Sequence, residues 1–257
     1  MSEAAIRTTP NESETDHEPK TLVEAAYHQL RRDIIEGKLR PGEKLRVEHL
    51  KTHYDVGAGT LREALQLLMT DALVVAQGQR GFNVAPISLL DFEDITRTRV
   101  LIECEALRQS IARGGDEWEA AVLGSFHRLS RAEERLAEDP VTSRGEWEIR
   151  NKSFHETLIS ACPSRWIRHF QQLLYRQSER YRRISLYNSD IPRDVHAEHA
   201  KLCEAAVGRD PERACAVLTE HIIRTLDGIR KLPRDVIEPT VAVTRVGKAR
   251  ARTSETK

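Results

Sequence analysis

The stretch from Leu45 to Pro86 constrains this 257-residue chain more tightly than any other. Val47 and Leu50 give a short first segment one apolar face. Leu61, Leu65 and Leu68 recur at spacings of four and three, which predicts a second helix. Asp55-Val56-Gly57 breaks the two apart. Two β-prone runs follow, residues 73–76 and 82–85, on either side of the glycine-rich hairpin tip Gln77-Gly78-Gln79-Arg80-Gly81. Helix, turn, helix and hairpin make the layout of a winged helix-turn-helix, whose second helix enters the major groove of DNA.

The same block resembles the GntR family of bacterial transcription factors. The residues that carry the resemblance are Arg31-Arg32-Asp33-Ile34-Ile35-Glu36-Gly37, then Leu39-Arg40-Pro41-Gly42, Val56, and Thr60-Leu61-Arg62-Glu63-Ala64-Leu65, with Gly81 and Val84 in the wing. Together they cover roughly residues 21–86. One departure stands out. Where family members usually open the recognition helix with a polar run and an arginine, this chain has Gly57-Ala58-Gly59. Fewer side chains reach base edges there, and the glycines instead let backbone N–H groups and the helix N-terminus approach phosphate. Gly57, Gly59, Thr60, Arg62, Arg80 and Gly81 are the DNA-binding candidates.

Charge supports this through placement and not through a global field. Lys plus Arg and Asp plus Glu both total 40, and residues 21–86 hold nine basic against eight acidic residues. The useful cations are Arg62 in the recognition helix, Arg80 on the wing, and Lys38, Arg40 and Lys44 ahead of the turn.

Length allows two domains, and low aromatic content with 31% charged residues favours a largely helical protein. No apolar run approaches the roughly 20 residues that span a bilayer, and the N-terminus lacks the basic-plus-apolar pattern of a signal peptide. The expectation is a cytoplasmic protein without a membrane partner. Cys104, Cys162, Cys203 and Cys215 are scattered with no CxxC spacing, which favours buried free thiols over zinc–thiolate or disulfide roles. Residues 1–20 read as a disordered acidic, polar arm. Residues 232–257 read as a disordered basic tail, with seven basic against three acidic residues from Lys231.

Between these ends, residues 87–231 contain no convincing strand. Ser88, with Asp91 three residues on, resembles a capping box that opens a helix stopping at Gly114-Gly115. Asp116 opens a run ending near Asp139-Pro140, and Thr142 or Ser143 starts the next. Cys162-Pro163-Ser164 precedes a long segment reaching Tyr187. Ile191-Pro192 begins another helix. Gly208-Arg209-Asp210-Pro211 is a turn with Asp as N-cap and Pro at the first helical position. About six helices read as an antiparallel all-α bundle, so the fold class is mainly α.

Histidine spacing bears on what the bundle holds. Asn151 and His155 lie four apart and share one helix face. His199 and His221 lie on the two arms of the hairpin centred on residue 210, each about 16 Å from the turn and therefore level with one another. His196 is an equally good member of that pair. If a third helix brings Asn151 and His155 to the same level, the N3O set suits a transition metal such as zinc or nickel.

This region resembles the ligand-sensing FCD domain of the FadR-type GntR branch. The matching elements are Arg99-x-x-x-Glu103 with Ala106, Asn151-x-x-Phe154-His155, Glu198-His199 with Ala206, Gly208-x-Asp210, Ala214 and His221. The resemblance implies a divalent cation held by Asn151, His155, His199 and His221. Asn151 stands where aspartate is common, and a neutral amide leaves the site one unit more positive, so the metal is held less tightly and receives an anion more readily. A small carboxylate effector fits that charge, with Arg99, which the resemblance points into the bundle, pairing its other end. Arg180, with Arg176 and Arg183, is a secondary candidate. Trp147, Trp166 and Phe154 read as core packing.

The leading reading is a homodimeric, metabolite-responsive regulator, a repressor of operator DNA, since one small winged module buries too little DNA surface alone. The alternative is a metal-dependent hydrolase using the three histidines, with Glu148 or Glu156 as base. A metal buffer or metal sensor is a third reading, against which the arginines argue.

Overall fold

A computed structural model of the chain describes residues 19–78, 81–188, 193–233 and 237. The expected arm through residue 18, most of the expected tail, Arg80, and the expected helix start at Ile191-Pro192 lie outside the described residues. With residues 41–43 set aside, the chain divides at Ala85/Pro86 into two compact units.

In the first unit, α1 (Leu22–Ile35) starts at Thr21, whose hydroxyl accepts from the Glu24 N–H at 3.1 Å. α2 (Val47–His53) and α3 (Ala58–Thr70) are joined through Asp55, which takes a left-handed φ of 51°. Leu61, Ala64, Leu65 and Leu68 form the buried stripe of α3, and each leucine is fully buried. Burying each contributes about 1.5–3 kcal/mol, so this stripe fixes the rotation of α3 about its axis. Arg62 and Glu63 consequently face solvent. Two strands form as expected, β2 (Val74–Ala76) and β3 (Phe82–Val84), and a third, β1 (Lys44–Leu45), adds to them in the order β1-β3-β2, all antiparallel. The sequence gives no sign of β1, because two residues are too few for a periodic pattern. At the hairpin tip the Gln77 N–H donates to the Gly81 carbonyl at 2.8 Å, and Gly81 has φ of 103°, a conformation that glycine tolerates.

In the second unit, six helices are described: α4 (Leu89–Arg113), α5 (Asp116–Glu138), α6 (Arg144–Leu158), α7 (Arg165–Asn188), α8 (Val195–Val207) and α9 (Pro211–Arg230). Their main core gathers Leu107, Val122, Leu129, Phe154, Leu158, Leu202 and Leu218. α9 starts as expected, with Asp210 accepting from the Arg213 N–H at 3.0 Å and Pro211 at its first position.

α8 is capped by Asp194, whose carboxylate accepts from the Ala197 N–H at 2.9 Å. Two expectations change. The Ser88 box closes through a third residue: Ser88 Oγ accepts from the Asp91 N–H, but the Ser88 N–H donates to Tyr181 Oη at 3.2 Å, and that hydroxyl donates to Asp91 at 2.8 Å. Aspartate is one methylene shorter than the usual glutamate, and the tyrosine spans the gap. Trp166 is 57% exposed, with the Arg165 guanidinium 5.1 Å from its ring, and does not pack in the core, whereas Trp147 and Phe154 do.

Candidate metal centre and DNA interface

Three buried imidazoles converge in the bundle. His155 comes from α6, His199 from α8 and His221 from α9, and one ligand nitrogen from each lies within 4.8 Å of the other two. Ring centroids are 4.8 Å apart for His199–His221, 5.2 Å for His155–His221 and 5.6 Å for His155–His199. His196 is elsewhere: 56% exposed, it hydrogen-bonds Glu133 outside the cluster.

Carboxylates orient two of the rings. Glu133 on α5 accepts from His199 Nδ1 at 2.7 Å, and Glu198 on α8 accepts from His221 Nδ1 at 2.8 Å. Each contact puts the proton on Nδ1 and leaves Nε2 with its lone pair, the arrangement that metal-binding histidines use. His199 Nε2 is buried and has no partner among the described residues. Burial would raise the Glu198 carboxyl, but hydrogen bonds from His221, Arg193 and Arg224 hold it well below the usual carboxylate range. Burial pushes the His221 imidazole down to about 3 and also lowers His155, with the neighbouring histidines, Arg99 and Arg182 adding to the effect on His155. Both rings are therefore neutral at pH 7, the form that binds a cation.

Asn151 shares the α6 face with His155. Its Nδ2 donates to Tyr175 Oη at 2.7 Å, while its Oδ1 is buried without a partner among the described residues. An unsatisfied amide oxygen and an unsatisfied imidazole nitrogen are costly to bury. Both are donors to a divalent cation, so the residues present fit one.

The cluster lies close to two guanidinium groups. Arg99 on α4 pairs with Glu103 at 2.7 Å and donates to Ser178 Oγ at 3.1 Å. Arg182 on α7 donates to Ser178 Oγ at 2.6 Å and to Glu148 at 3.1 Å, and its Nε is buried without a partner among the described residues. Both guanidinium groups lie over the Tyr175 ring, which is 5.8 Å from the His155 ring. Tyr175, Ser178 and Arg182 thus share the α7 face that borders the site. Arg180 instead is buried near Tyr181 and the Asp91 carboxylate, and Arg183 pairs with Glu179 at 3.6 Å. Sequence reasoning missed Arg182, Tyr175 and Glu133. For Arg182 and Tyr175 a signal existed, since 175, 178 and 182 recur at helical spacing.

In the first unit, Gly57, Gly59 and Arg62 are exposed and Thr60 is half-buried at the start of α3. Gly57 has an ordinary φ of −64°, and a Cβ at Gly59 would meet nothing within 4 Å, so the backbone and packing of this unit require neither glycine. Of the cations ahead of the turn, Lys38 pairs internally with Asp33 and Glu36.

A winged helix-turn-helix joined to a helical domain with a buried polar site defines a DNA-binding transcriptional regulator. The chain belongs to the GntR family: residues 22–84 match the bacterial regulatory proteins of the gntR family, and residues 94–224 match the FCD domain. It is 48% identical over 212 residues to the uncharacterized HTH-type transcriptional regulator BphR of Paraburkholderia xenovorans, covering 82% of this chain and 86% of that protein. It is 34% identical to the HTH-type transcriptional repressor GlaR of Escherichia coli, covering 80% and 94% of the two chains. The fold matches E. coli McbR/YncC with a TM-score of 0.66 at 18% identity, covering 82% of this chain and 98% of that one. It matches Lar of Listeria monocytogenes with a TM-score of 0.59 at 16% identity, covering 84% and 100%. Families and relatives alike are transcriptional regulators and not enzymes, which removes the hydrolase reading. Both candidate bases are also engaged, Glu148 with Arg182 at 3.1 Å and Glu156 with Lys152 at 3.8 Å. No described helix is long and apolar enough to cross a membrane.

Proposed function

We propose that this chain is a homodimeric repressor of operator DNA, released when a small carboxylate binds beside a divalent cation held by Asn151, His155, His199 and His221. The observation that carries this reading is the convergence of three buried imidazoles within 4.8 Å, with His199 Nε2 and Asn151 Oδ1 left unpaired. Three nitrogens and one amide oxygen suit zinc or nickel. When bound, the cation supplies a Lewis-acidic position that one oxygen of an anion can occupy.

The protein's own residues do the rest. Glu133 and Glu198 fix two ring orientations before any ion arrives. Because an amide and three imidazoles bring no anionic ligand, they leave the cation's charge uncancelled, which favours an anionic effector. Arg99 and Arg182 flank the site for a carboxylate's far end, and Arg182 Nε is the donor with nothing yet to bond. Effector binding then shifts the population between DNA-competent and DNA-incompetent states. On the DNA side, Arg62 and the exposed Gly57 and Gly59 support close approach of the α3 N-terminus to phosphate. Gly81, and Arg80 from outside the described residues, are the wing's candidates for the same contact. A homodimer follows from affinity, since two half-sites double the buried DNA surface.

The test is fluorescence anisotropy of the protein's own promoter DNA with metal-loaded protein, titrated with small mono- and dicarboxylates. Release by at least one carboxylate, lost when the metal is chelated, is the expected result. Unchanged DNA affinity across the whole series, or release that is indifferent to chelation, refutes the proposal.

A further inference from the structure

A second reactive pair lies away from the histidines. Cys104 on α4 and Cys215 on α9 are 111 residues apart in sequence, yet each thiol rests on the other's backbone. Cys104 Sγ is 3.6 Å from the Cys215 carbonyl oxygen, and Cys215 Sγ is 3.4 Å from the Cys104 carbonyl oxygen. Reciprocal contact of this kind packs each thiol against the other's helix backbone, the close approach that a disulfide needs. Both residues line an open groove of about 820 Å³ between α4 and α9, so a small solute reaches them although each is nearly buried. Arg108 lines the same groove and pairs with Glu212 at 3.2 Å.

We propose that Cys104 and Cys215 form a reversible dithiol–disulfide site, oxidised by a hydroperoxide, that staples α4 to α9. The proposal does not depend on the metal reading. Cys104 is the attacking sulfur. The Cys215 thiol beside it pulls the Cys104 thiol below the ordinary range against the cost of burial, with Thr219, 3.5 Å away, and the Arg108 charge assisting. Cys215 is raised, first by the Cys104 thiol beside it and then by burial, so it keeps its proton until its turn.

The chemistry balances. The Cys104 thiolate attacks one peroxide oxygen and the O–O bond breaks, giving a sulfenic acid and a hydroxide that takes a proton to become water. For hydrogen peroxide, the Cys215 sulfur then attacks the Cys104 sulfur, loses its proton, and forms the S–S bond as the S–O bond breaks and a second water leaves. The two thiols together give up two electrons and two protons, and the peroxide is reduced to water. The staple lies next in sequence to Glu103, the partner of Arg99, and on the helix that carries His221. Cys162, whose thiol donates to Gln109 at 3.3 Å, and Cys203, pushed up by burial to about 11, have no such arrangement and act as internal controls.

The experiment uses the wild-type full chain. Reduced protein, freed of reductant, is exposed to hydrogen peroxide, denatured in iodoacetamide, digested without reduction and mapped by mass spectrometry. The expected product is one cross-linked peptide pair joining Cys104 to Cys215, two hydrogens lighter than its parts, reversed by dithiothreitol, with Cys162 and Cys203 alkylated. Three results would overturn the proposal: Cys104 and Cys215 both alkylated after peroxide, either one joined to a different thiol, or Cys104 carried to sulfinic acid with no cross-link.

Discussion

Glu133 offers a sharp test of the metal site because it touches two histidines and only one belongs to the cluster. Its Oε1 accepts from His199 Nδ1 at 2.7 Å, and its Oε2 from His196 Nδ1 at 2.8 Å. The His199 side chain is 0% exposed, so Glu133→Ala leaves a buried N–H without an acceptor. Without metal, that loss costs about 1–3 kcal/mol of stability. With metal, the ring loses the partner that sets its tautomer and direction, and affinity falls about 10–100-fold. At about 1.4 kcal/mol per decade this corresponds to about 1.4–2.8 kcal/mol of binding energy. Glu133→Gln keeps an acceptor but loses the charge, so it falls between Glu133→Ala and wild type. His196→Ala removes the other contact of the same carboxylate, from an exposed ring, and leaves metal affinity near the wild-type value. Competition titration against a chromophoric chelator, with thermal unfolding alongside, measures all three variants. A folded Glu133→Ala protein that binds metal as tightly as wild type would refute the reasoning.

Arg62→Ala is expected to weaken operator binding with no change in melting temperature. A lost phosphate contact lowers the salt slope by about one, whereas a lost guanine contact costs about 1–3 kcal/mol and relaxes specificity; equal affinity across a salt series rejects both. Asn151→Asp adds a negative charge at the site and should tighten metal while weakening an anionic effector. Calorimetric titration of each in turn checks this, and weaker metal with a lower melting temperature would show a merely buried carboxylate. Leu65→Ala, in the fully buried α3 stripe, should cost about 2–5 kcal/mol in denaturant unfolding; a loss under 1 kcal/mol, on the order of a surface change, would mean that the stripe is misassigned.

How much was legible in the sequence followed the range of the interactions. The α3 stripe, the Asp210-Pro211 turn and the levelling of His199 with His221 are local periodicity and helix geometry, and they read directly. Tyr181 bridging Ser88 to Asp91 joins residues about 90 apart, and no local pattern announces such a contact. Glu133, on α5, was hidden for the same reason. Arg180 and Arg182 differ by two positions, about 200° around a helix, so choosing between them needs the phase of α7. That phase is set by its packing against other helices, with Tyr175 and Ser178 marking the face toward the site. Cys104 and Cys215 look scattered in the sequence because the close approach of α4 and α9 brings them together, not their spacing.

Elemental analysis of the full chain purified without chelator decides whether His155, His199 and His221 form a cation site. The predicted result is one divalent first-row transition metal per wild-type chain, lost in His199→Ala and in His221→Ala, with both variants still binding operator DNA in the absence of effector. Full metal occupancy in either variant, or a wild-type protein that takes up neither zinc nor nickel when they are supplied, would contradict it.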